Sequence, residues 1–136
     1  MDVVEKRILF LMNRVMSKKT VVLGASLNES KYSNQAIRLL TLAGHDVVAI
    51  GRSAGQIGLI NVQQDLPKTI DNLDTITLYL NPTHQPSYYD EILKLKPKRI
   101  IFNPGTENDA FAQLAQEAGI ATENACTLVL LRTQQY

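Results

Sequence analysis

Apolar residues along the chain form short runs that alternate with stretches of helical periodicity. The short runs are rich in β-branched and aromatic residues, which is typical of strands; they lie at residues 20–23, 46–50, 74–80, 99–102 and 120–122. Between them, helical spacing of apolar residues predicts helices at residues 33–43, 87–96 and 106–118. Residues 57–65 are irregular, with a short extended piece at Ile60 and Val62 as an alternative. The last apolar run, 127–131, fits either a helix or a strand.

Strands that alternate with helices of this length predict right-handed crossovers and a mostly parallel sheet covered on both faces. The expected fold class is therefore α/β, a Rossmann-like three-layer α/β/α domain with a five-stranded sheet. In such sheets ligands bind beyond the carboxyl ends of the strands, where the strand order reverses. The loops that follow the first four predicted strands are the candidate binding surface.

Two sequence patterns indicate where helices begin. Ser87 with Asp90, and Thr106 with Asp109, have the spacing of a hydroxyl cap followed by an acidic residue. We expect each hydroxyl to cap the helix that follows it.

Composition narrows the class of protein. The 136 residues include 14 basic and 13 acidic residues, a formal net charge of +1, which favours neither nucleic acid nor an anionic membrane as a partner. One cysteine, Cys126, excludes an internal disulfide, and with only two histidines a transition-metal site is not expected. We expect a cytoplasmic protein with one domain, residues 18–136.

Residues 1–17 form a predicted N-terminal extension. Val4, Ile8, Leu11 and Val15 fall on one face of a helix, which predicts an amphipathic helix packed on the domain or on another subunit. A flexible extension is the alternative. The apolar run at residues 8–12 is shorter than the roughly 7 to 15 residues of an export signal.

The first predicted strand ends in Gly24, Ala25 and Ser26, a small-residue turn suited to backbone contact with a phosphate. A dinucleotide fingerprint needs three glycines, but Ser26 and Glu29 stand at its second and third positions. Hydroxyl groups in this loop and the positive end of the following helix still favour a pyrophosphate. The turn therefore predicts a phosphate loop that fits a dinucleotide poorly.

The second predicted strand ends with Gly51 and Arg52, where NAD-binding domains commonly carry an acidic residue. A guanidinium suits a ribose that bears its own phosphate. This narrows the ligand to NADP or coenzyme A.

Five further stretches are informative together: residues 24–26, 31–33, 78–82, 98–107 and 125–127. Through these residues the chain closely resembles the small stand-alone CoA-binding proteins, which are similar to the N-terminal CoA-binding domain of the succinyl-CoA synthetase alpha subunit. This resemblance spans residues 18–132. It implies that the loop after the first strand holds the CoA phosphates, that residues after the second meet the adenosine, and that the loops after the third and fourth line the pantetheine path.

The predicted cofactor-binding residues follow from these positions, with His84 added because it lies in the loop after the third predicted strand. They are Gly24, Ala25, Ser26, Lys31, Tyr32 and Ser33, then Gly51 and Arg52, then Asn81, Pro82 and His84, and finally Asn103, Pro104 and Gly105. No catalytic or metal-binding residue is predicted. Cys126 is expected to be an inert buried thiol, with a mixed disulfide to CoA as the alternative.

The expected function is binding of CoA or an acyl-CoA without catalysis. The synthetase takes its phosphorylated histidine from a domain that this sequence does not contain, so the resemblance implies a ligand more firmly than a reaction. The enzyme alternative is a small NADP-binding reductase or a subunit of a larger enzyme. A third hypothesis is a regulatory module that reports CoA to a protein partner, and a homo-oligomer is also compatible with the sequence.

Overall fold

The computed structural model describes the backbone of residues 2–15 and 17–136, and the side chains of residues 2–9 and 17–136. Its α-helices are α1 Val3–Val15, α2 Tyr32–Leu42, α3 Tyr89–Leu95, α4 Asp109–Glu117 and α5 Thr127–Arg132. Its strands are β1 Lys19–Ala25, β2 Val47–Gly51, β3 Gly55–Ile57, β4 Ile60–Gln63, β5 Leu73–Leu78, β6 Arg99–Phe102 and β7 Ala121–Asn124. Two short 3-10 helices, Pro82–His84 and Pro86–Tyr88, connect β5 to α3.

The strands form one sheet in the order β3-β4-β2-β1-β5-β6-β7. All neighbouring pairs are parallel except β3 and β4, and Val22 of the central strand β1 lies between Ala49 of β2 and Thr77 of β5. The chain builds outward from β1 on one side and then returns to build on the other. The order therefore reverses at β1, which confirms the predicted Rossmann-like fold. In sheets of this kind, ligands bind beyond the carboxyl ends of the strands at such a reversal, here the ends of β1, β2 and β5.

The predicted strand count of five is wrong, because β3 and β4 add a hairpin at one edge of the sheet. These strands have three and four residues, too few for an alternating pattern to stand out in the sequence. A two-residue loop joins them, and its first residue, Gly58, has φ +60°, as such tight loops require. The hairpin occupies most of the segment that the sequence leaves irregular.

Side chains of the central strand alternate between two apolar clusters. Val21 and Leu23 pack with α3 and α4 on one face, whereas Val22 and Ala25 pack with α2 on the other. Helix α5, formed by the last apolar run, lies beside α2. The result is the expected three-layer arrangement.

The two predicted hydroxyl caps are both wrong. Residue Ser87 donates to the carbonyl oxygen of His84, at 3.3 Å, and α3 begins without a side-chain cap. The hydroxyl of Thr106 donates to the carbonyl oxygen of Asn103, at 2.7 Å, and Asn108 caps α4 instead. In each case the hydroxyl finds a partner inside the preceding loop, which competes with capping.

Helix α1 covers most of the predicted extension. Val4 and Ile8 are 65% and 51% exposed, so these two apolar side chains are not buried against the domain. The other two residues of the predicted stripe, Leu11 and Val15, have side chains outside the described set. Among the described residues, no helix has the length and apolar character needed to cross a bilayer.

Candidate functional site

A cavity of about 870 Å³ opens at the carboxyl edge of the sheet, beside the switch point of the strand order. We call it the carboxyl-edge cavity. Its lining comes from the ends of β1 and β2 and from the segments that follow β1, β2, β4 and β5: Leu23, Gly24, Ala25, Ser26, Leu27, Asn28, Ile50, Gly51, Arg52, Ser53, Gln64, Tyr79, Leu80, Asn81, His84, Ser87 and Tyr88.

Two glycines allow the backbone segments around this cavity to approach one another. Gly24 has φ +101°, and a Cβ atom built on it would lie 2.9 Å from the carbonyl carbon of Tyr79. A Cβ atom on Gly51 would lie 2.2 Å from the carbonyl oxygen of Ala25. Because neither contact leaves room for a side chain, both glycines are required for the close approach of β1 to its neighbours.

The segment that joins β1 to α2, residues 26–31, is organised by its own polar side chains. The hydroxyl of Ser26 accepts from the Asn28 amide at 3.1 Å, and the Asn28 side-chain oxygen accepts from the Ser30 amide at 3.0 Å. Helix α2 then begins after Lys31, whose side chain makes no capping hydrogen bond. The first turn therefore keeps amide groups without a side-chain cap, and with them the partial positive charge of a helix N-terminus.

The charged groups of the cavity favour an anion. Arg52 is exposed on its wall, and no acidic side chain of residues 2–9 or 17–136 forms an ion pair with it. The lining residues, all of them described, include no Asp or Glu. A phosphate or carboxylate placed here would meet a guanidinium and no competing carboxylate.

The segment between β5 and α3 forms the opposite wall. Here Asn81 caps the first 3-10 helix, with its side-chain oxygen accepting from the Thr83 amide at 3.0 Å. His84, Ser87 and Tyr88 line the cavity from the two short helices. This wall offers hydroxyl, imidazole and amide groups, which suit a polar, uncharged part of a ligand.

The structure brings half of the predicted site residues to the cavity and leaves the other half elsewhere. At the cavity lie Gly24, Ala25, Ser26, Gly51, Arg52, Asn81 and His84. Outside its lining lie Lys31, Tyr32, Ser33, Pro82, Asn103, Pro104 and Gly105. The lining residues that the sequence did not single out include Asn28, Ser53, Gln64, Tyr79, Ser87 and Tyr88; only their closeness to predicted strand ends could have indicated them.

Asn103 is placed where a ligand cannot easily reach it. It is 2% exposed, and its side-chain nitrogen donates to the Thr77 hydroxyl at 2.6 Å and to the Leu78 carbonyl at 2.8 Å. Its side-chain oxygen accepts from the Thr127 amide at 2.9 Å. The Asn103 amide group thus joins β5, β6 and the start of α5, a structural use of a residue predicted to bind the cofactor.

Tyr79 leads from β5 into the cavity wall, and its ring packs in the apolar cluster on the α2 face. Its hydroxyl is buried and has no hydrogen-bond partner among the described residues. Burial raises the pKa of Tyr79 well above its ordinary value of 10, so the phenol is neutral at physiological pH.

The lining of the cavity, all of which is described, contains no thiol. The expectation that Cys126 is buried is wrong, because it is partly exposed at the start of α5, outside that lining. Among the residues that the structure describes, no cluster of three or more His, Cys, Asp or Glu side chains is arranged to hold a metal ion. The lining of the cavity has the chemistry to accommodate an anionic, partly polar ligand.

Comparison with known proteins gives the family. A model of the CoA-binding domain matches residues 18–132. A crystal structure of an uncharacterized protein is 41% identical, with a TM-score of 0.85, and covers 88% of this chain and 98% of its own. None of the curated proteins matches the chain.

More distant structures share the fold. A Thermus thermophilus protein described as cell-free ID.343 is 20% identical, with a TM-score of 0.78 over 94% of this chain and 97% of its own. The dinucleotide-forming acetyl-coenzyme A synthetase 1 of Ca. Korarchaeum cryptofilum, solved with phosphate and ADP, is 18% identical, with a TM-score of 0.66. It covers 84% of this chain and 27% of its own.

Proposed function

This chain belongs to the CoA-binding domain family, and from that premise we propose that it binds coenzyme A or an acyl-CoA in the carboxyl-edge cavity without catalysing a reaction. The observation that carries the proposal is the cavity itself. It has about 870 Å³, lies at the switch point, and combines an exposed guanidinium with a lining free of acidic residues. Its volume is within the range of ligand pockets, roughly 300 to 1,000 Å³.

The proposed ligand lies across the end of the sheet with its parts assigned by charge. The pyrophosphate meets the turn at Gly24, Ala25 and Ser26, which supplies backbone amides, while the uncapped start of α2, outside the lining, adds positive potential. Arg52 pairs with the phosphate on the adenosine ribose, the group that distinguishes CoA from dephospho-CoA. The pantetheine arm, which is polar and uncharged, runs along Asn81, His84 and Tyr88.

Equilibrium binding tests the proposal against its main alternative, an NADP-dependent reductase. CoA, acetyl-CoA and NADPH would be titrated into the purified chain by calorimetry, with the melting temperature measured at saturation. We expect the two CoA ligands to bind and raise the melting temperature, since a ligand that binds only the folded state stabilises it. Tighter binding of NADPH than of CoA would contradict the proposal.

A role in reporting CoA to a protein partner is the second hypothesis, and helix α1 is the observation that favours it. Val3, Val4 and Ile8 are exposed on this helix, as residues of a docking face would be. Co-purification of a protein partner with the full chain and with a chain without residues 1–17, each with and without CoA, tests it. A partner whose recovery changes with CoA and is lost without residues 1–17 would support this role. We expect such a role to be exercised in the cytoplasm.

A further inference from the structure

Gln85 is a fully buried amide side chain within the segment that forms one wall of the cavity. It is 1% exposed, although glutamine is mostly found at protein surfaces. It lies at the junction of the two 3-10 helices, directly after the cavity-lining His84. Its side chain does not line the cavity, so it lies behind the wall.

The amide of Gln85 links two separate loops. Its nitrogen donates to the carbonyl oxygen of Leu80 at 2.9 Å, within its own segment, and to that of Thr106 at 2.8 Å, in the loop after β6. Its oxygen accepts from the side-chain nitrogen of Asn108 at 3.0 Å. Both of its N–H groups and its oxygen are therefore used.

Asn108 continues this link to two helices. Its side-chain oxygen caps α4 by accepting from the Phe111 amide at 3.0 Å, and its nitrogen also donates to the Tyr89 hydroxyl at 2.7 Å. The Tyr89 ring stacks on Phe111, with 4.2 Å between the ring centroids. Gln85 and Asn108 thus form a pair of amides that joins the cavity wall to the starts of α3 and α4.

Most other hydrogen bonds of this wall lie within the wall itself, such as the one from the His84 amide to the Asn81 carbonyl at 3.0 Å, and Leu80 and Tyr88 pack against the apolar core. Pro82 and Pro86 have no amide hydrogen, and the first 3-10 helix ends on a long 3.4 Å bond from the Gln85 amide to the Pro82 carbonyl. Each short helix supplies only about one turn of backbone bonding, which is marginal on its own. The bonds of the Gln85 side chain are therefore the ones that tie this wall to the loop after β6.

We propose that Gln85 is a positioning residue for the ligand. Through its bonds to Thr106 and Asn108, the loop after β6 helps to fix the position of the cavity wall, although this loop does not itself line the cavity. The inference rests on the proposed function, since it assigns the wall to the pantetheine arm. It gives the segment from Asn103 to Asn108 a supporting role in place of direct contact. Loss of Gln85 then loosens the groups that meet pantetheine while the phosphate side of the site is unaffected.

Replacement of Gln85 by methionine tests this role, because methionine keeps the length of the side chain and removes its hydrogen bonds. Q113M is the matched control, since Gln113 is exposed on α4 and bonds only to Glu117. Each variant would be titrated with CoA and with adenosine 3′,5′-bisphosphate, which has no pantetheine arm. We expect Q85M to bind CoA roughly tenfold more weakly, the bisphosphate as the wild type does, and Q113M to match the wild type with both.

The outcomes separate this role from simple stability and from the proposed function. Suppose that the wild type binds CoA and that Q85M either loses the same affinity for both ligands or keeps its affinity for both. The positioning role is then wrong, and the proposed function stands. If the wild type binds no CoA, the proposed function fails and this role fails with it.

Hydrogen exchange of the wild type tests the link between the cavity wall and the loop after β6, even if Q85M does not fold. CoA should slow exchange at the amides of Thr106, on the linked loop, and Phe111, in the first turn of α4; both lie outside the cavity lining. Unchanged exchange at both amides in CoA-saturated protein would overturn the link.

Discussion

The two edges of the sheet carry the same kinds of side chain and use them in opposite ways. At the amino edge, Arg99 stacks over Tyr136, with 4.5 Å from the guanidinium carbon to the ring centroid, and its Nε donates to the Thr75 hydroxyl at 3.0 Å. At the carboxyl edge, Arg52 and His84 line a cavity, and Arg52 has no ion pair with any described side chain. Each edge has an arginine, a histidine and a tyrosine. They are Arg99, His45 and Tyr136 at the amino edge and Arg52, His84 and Tyr88 at the carboxyl edge.

At the amino edge most polar groups are hydrogen-bonded inside the protein, although Arg99 Nη2 is buried without a hydrogen-bond partner among the described residues. His45 Nδ1 accepts from the Lys18 amide at 2.9 Å, and the Tyr136 and Thr20 hydroxyls share a hydrogen bond. The His45 and Tyr136 rings also meet edge to face, with centroids 5.0 Å apart. The residue types at the two edges therefore do not identify a binding site. What distinguishes the carboxyl edge is a cavity lined by groups whose hydrogen-bonding capacity is not used within the protein.

A pair of glycine variants should show the largest difference between the edges. Gly24 and Gly44 have φ +101° and +89°, so alanine strains the backbone at either position, but only Gly24 has a neighbour within 3 Å of the built Cβ atom. We expect G24A to lower the free energy of unfolding by about 2–4 kcal/mol and abolish CoA binding, and G44A to cost about 1 kcal/mol without affecting binding. Denaturant unfolding and calorimetry measure both quantities.

The glycine pair also tests the close approach of Gly24 to Tyr79. Equal destabilisation by G24A and G44A would mean that strain alone acts and that the contact between Gly24 and Tyr79 has no role. G105A is a further control, because Gly105 has φ +92° with nothing within 4 Å of the built Cβ atom.

A pair of arginine variants should give smaller effects, on stability for the variant at the amino edge and on CoA affinity for the variant at the carboxyl edge. R99M removes a side chain that is 16% exposed and leaves the Thr75 hydroxyl with one bond fewer, so we expect a loss of about 1–3 kcal/mol in unfolding free energy and unchanged CoA affinity. R52M should change stability by less than about 0.5 kcal/mol and weaken CoA roughly tenfold or more.

Dephospho-CoA sharpens the arginine comparison. Because it lacks the phosphate assigned to Arg52, its affinity should fall much less in R52M than that of CoA. If both ligands lose the same factor, Arg52 does not recognise that phosphate.

The sequence predicted much of the carboxyl edge, because the residues there come directly after the ends of predicted strands. The turn at Gly24 and the position of Arg52 come directly after apolar runs, and topology alone brings such positions to one edge. Of the hairpin, the sequence offered only an extended piece at Ile60 and Val62, which lies in β4, because strands of three and four residues carry no clear period.

The part that the sequence missed depends on partners distant in the chain. Asn103 stands in a motif suggestive of ligand contact, yet its amide is used by Thr77, Leu78 and Thr127. Gln85 lies between the cavity-lining residues His84 and Ser87, and only the three-dimensional fold shows that it faces Thr106. Whether a polar side chain faces a ligand or a neighbouring loop is decided by packing, which periodicity does not encode.

The smallest effect concerns pH and the amino edge. Burial, followed by the charges of Lys18 and Arg99, lowers the pKa of His45 below its ordinary value of 6.5, although Asp74 and Asp46 act in the opposite direction. The folded protein then binds fewer protons than the unfolded chain between that lowered pKa and 6.5. The stability that neutral His45 contributes is therefore present above pH 6.5 and is lost as pH falls through the lowered value.

An asparagine at position 45 should separate this titration from the hydrogen bond. The H45N variant offers an oxygen that can accept from the Lys18 amide in place of Nδ1, but it does not titrate. We expect the unfolding free energy of the wild type to fall more steeply than that of H45N as pH drops below 6.5, with equal CoA affinity for both at neutral pH. Parallel stability curves for the two proteins would show that His45 is not held neutral by the fold, and a change in CoA affinity would show that the two edges are coupled.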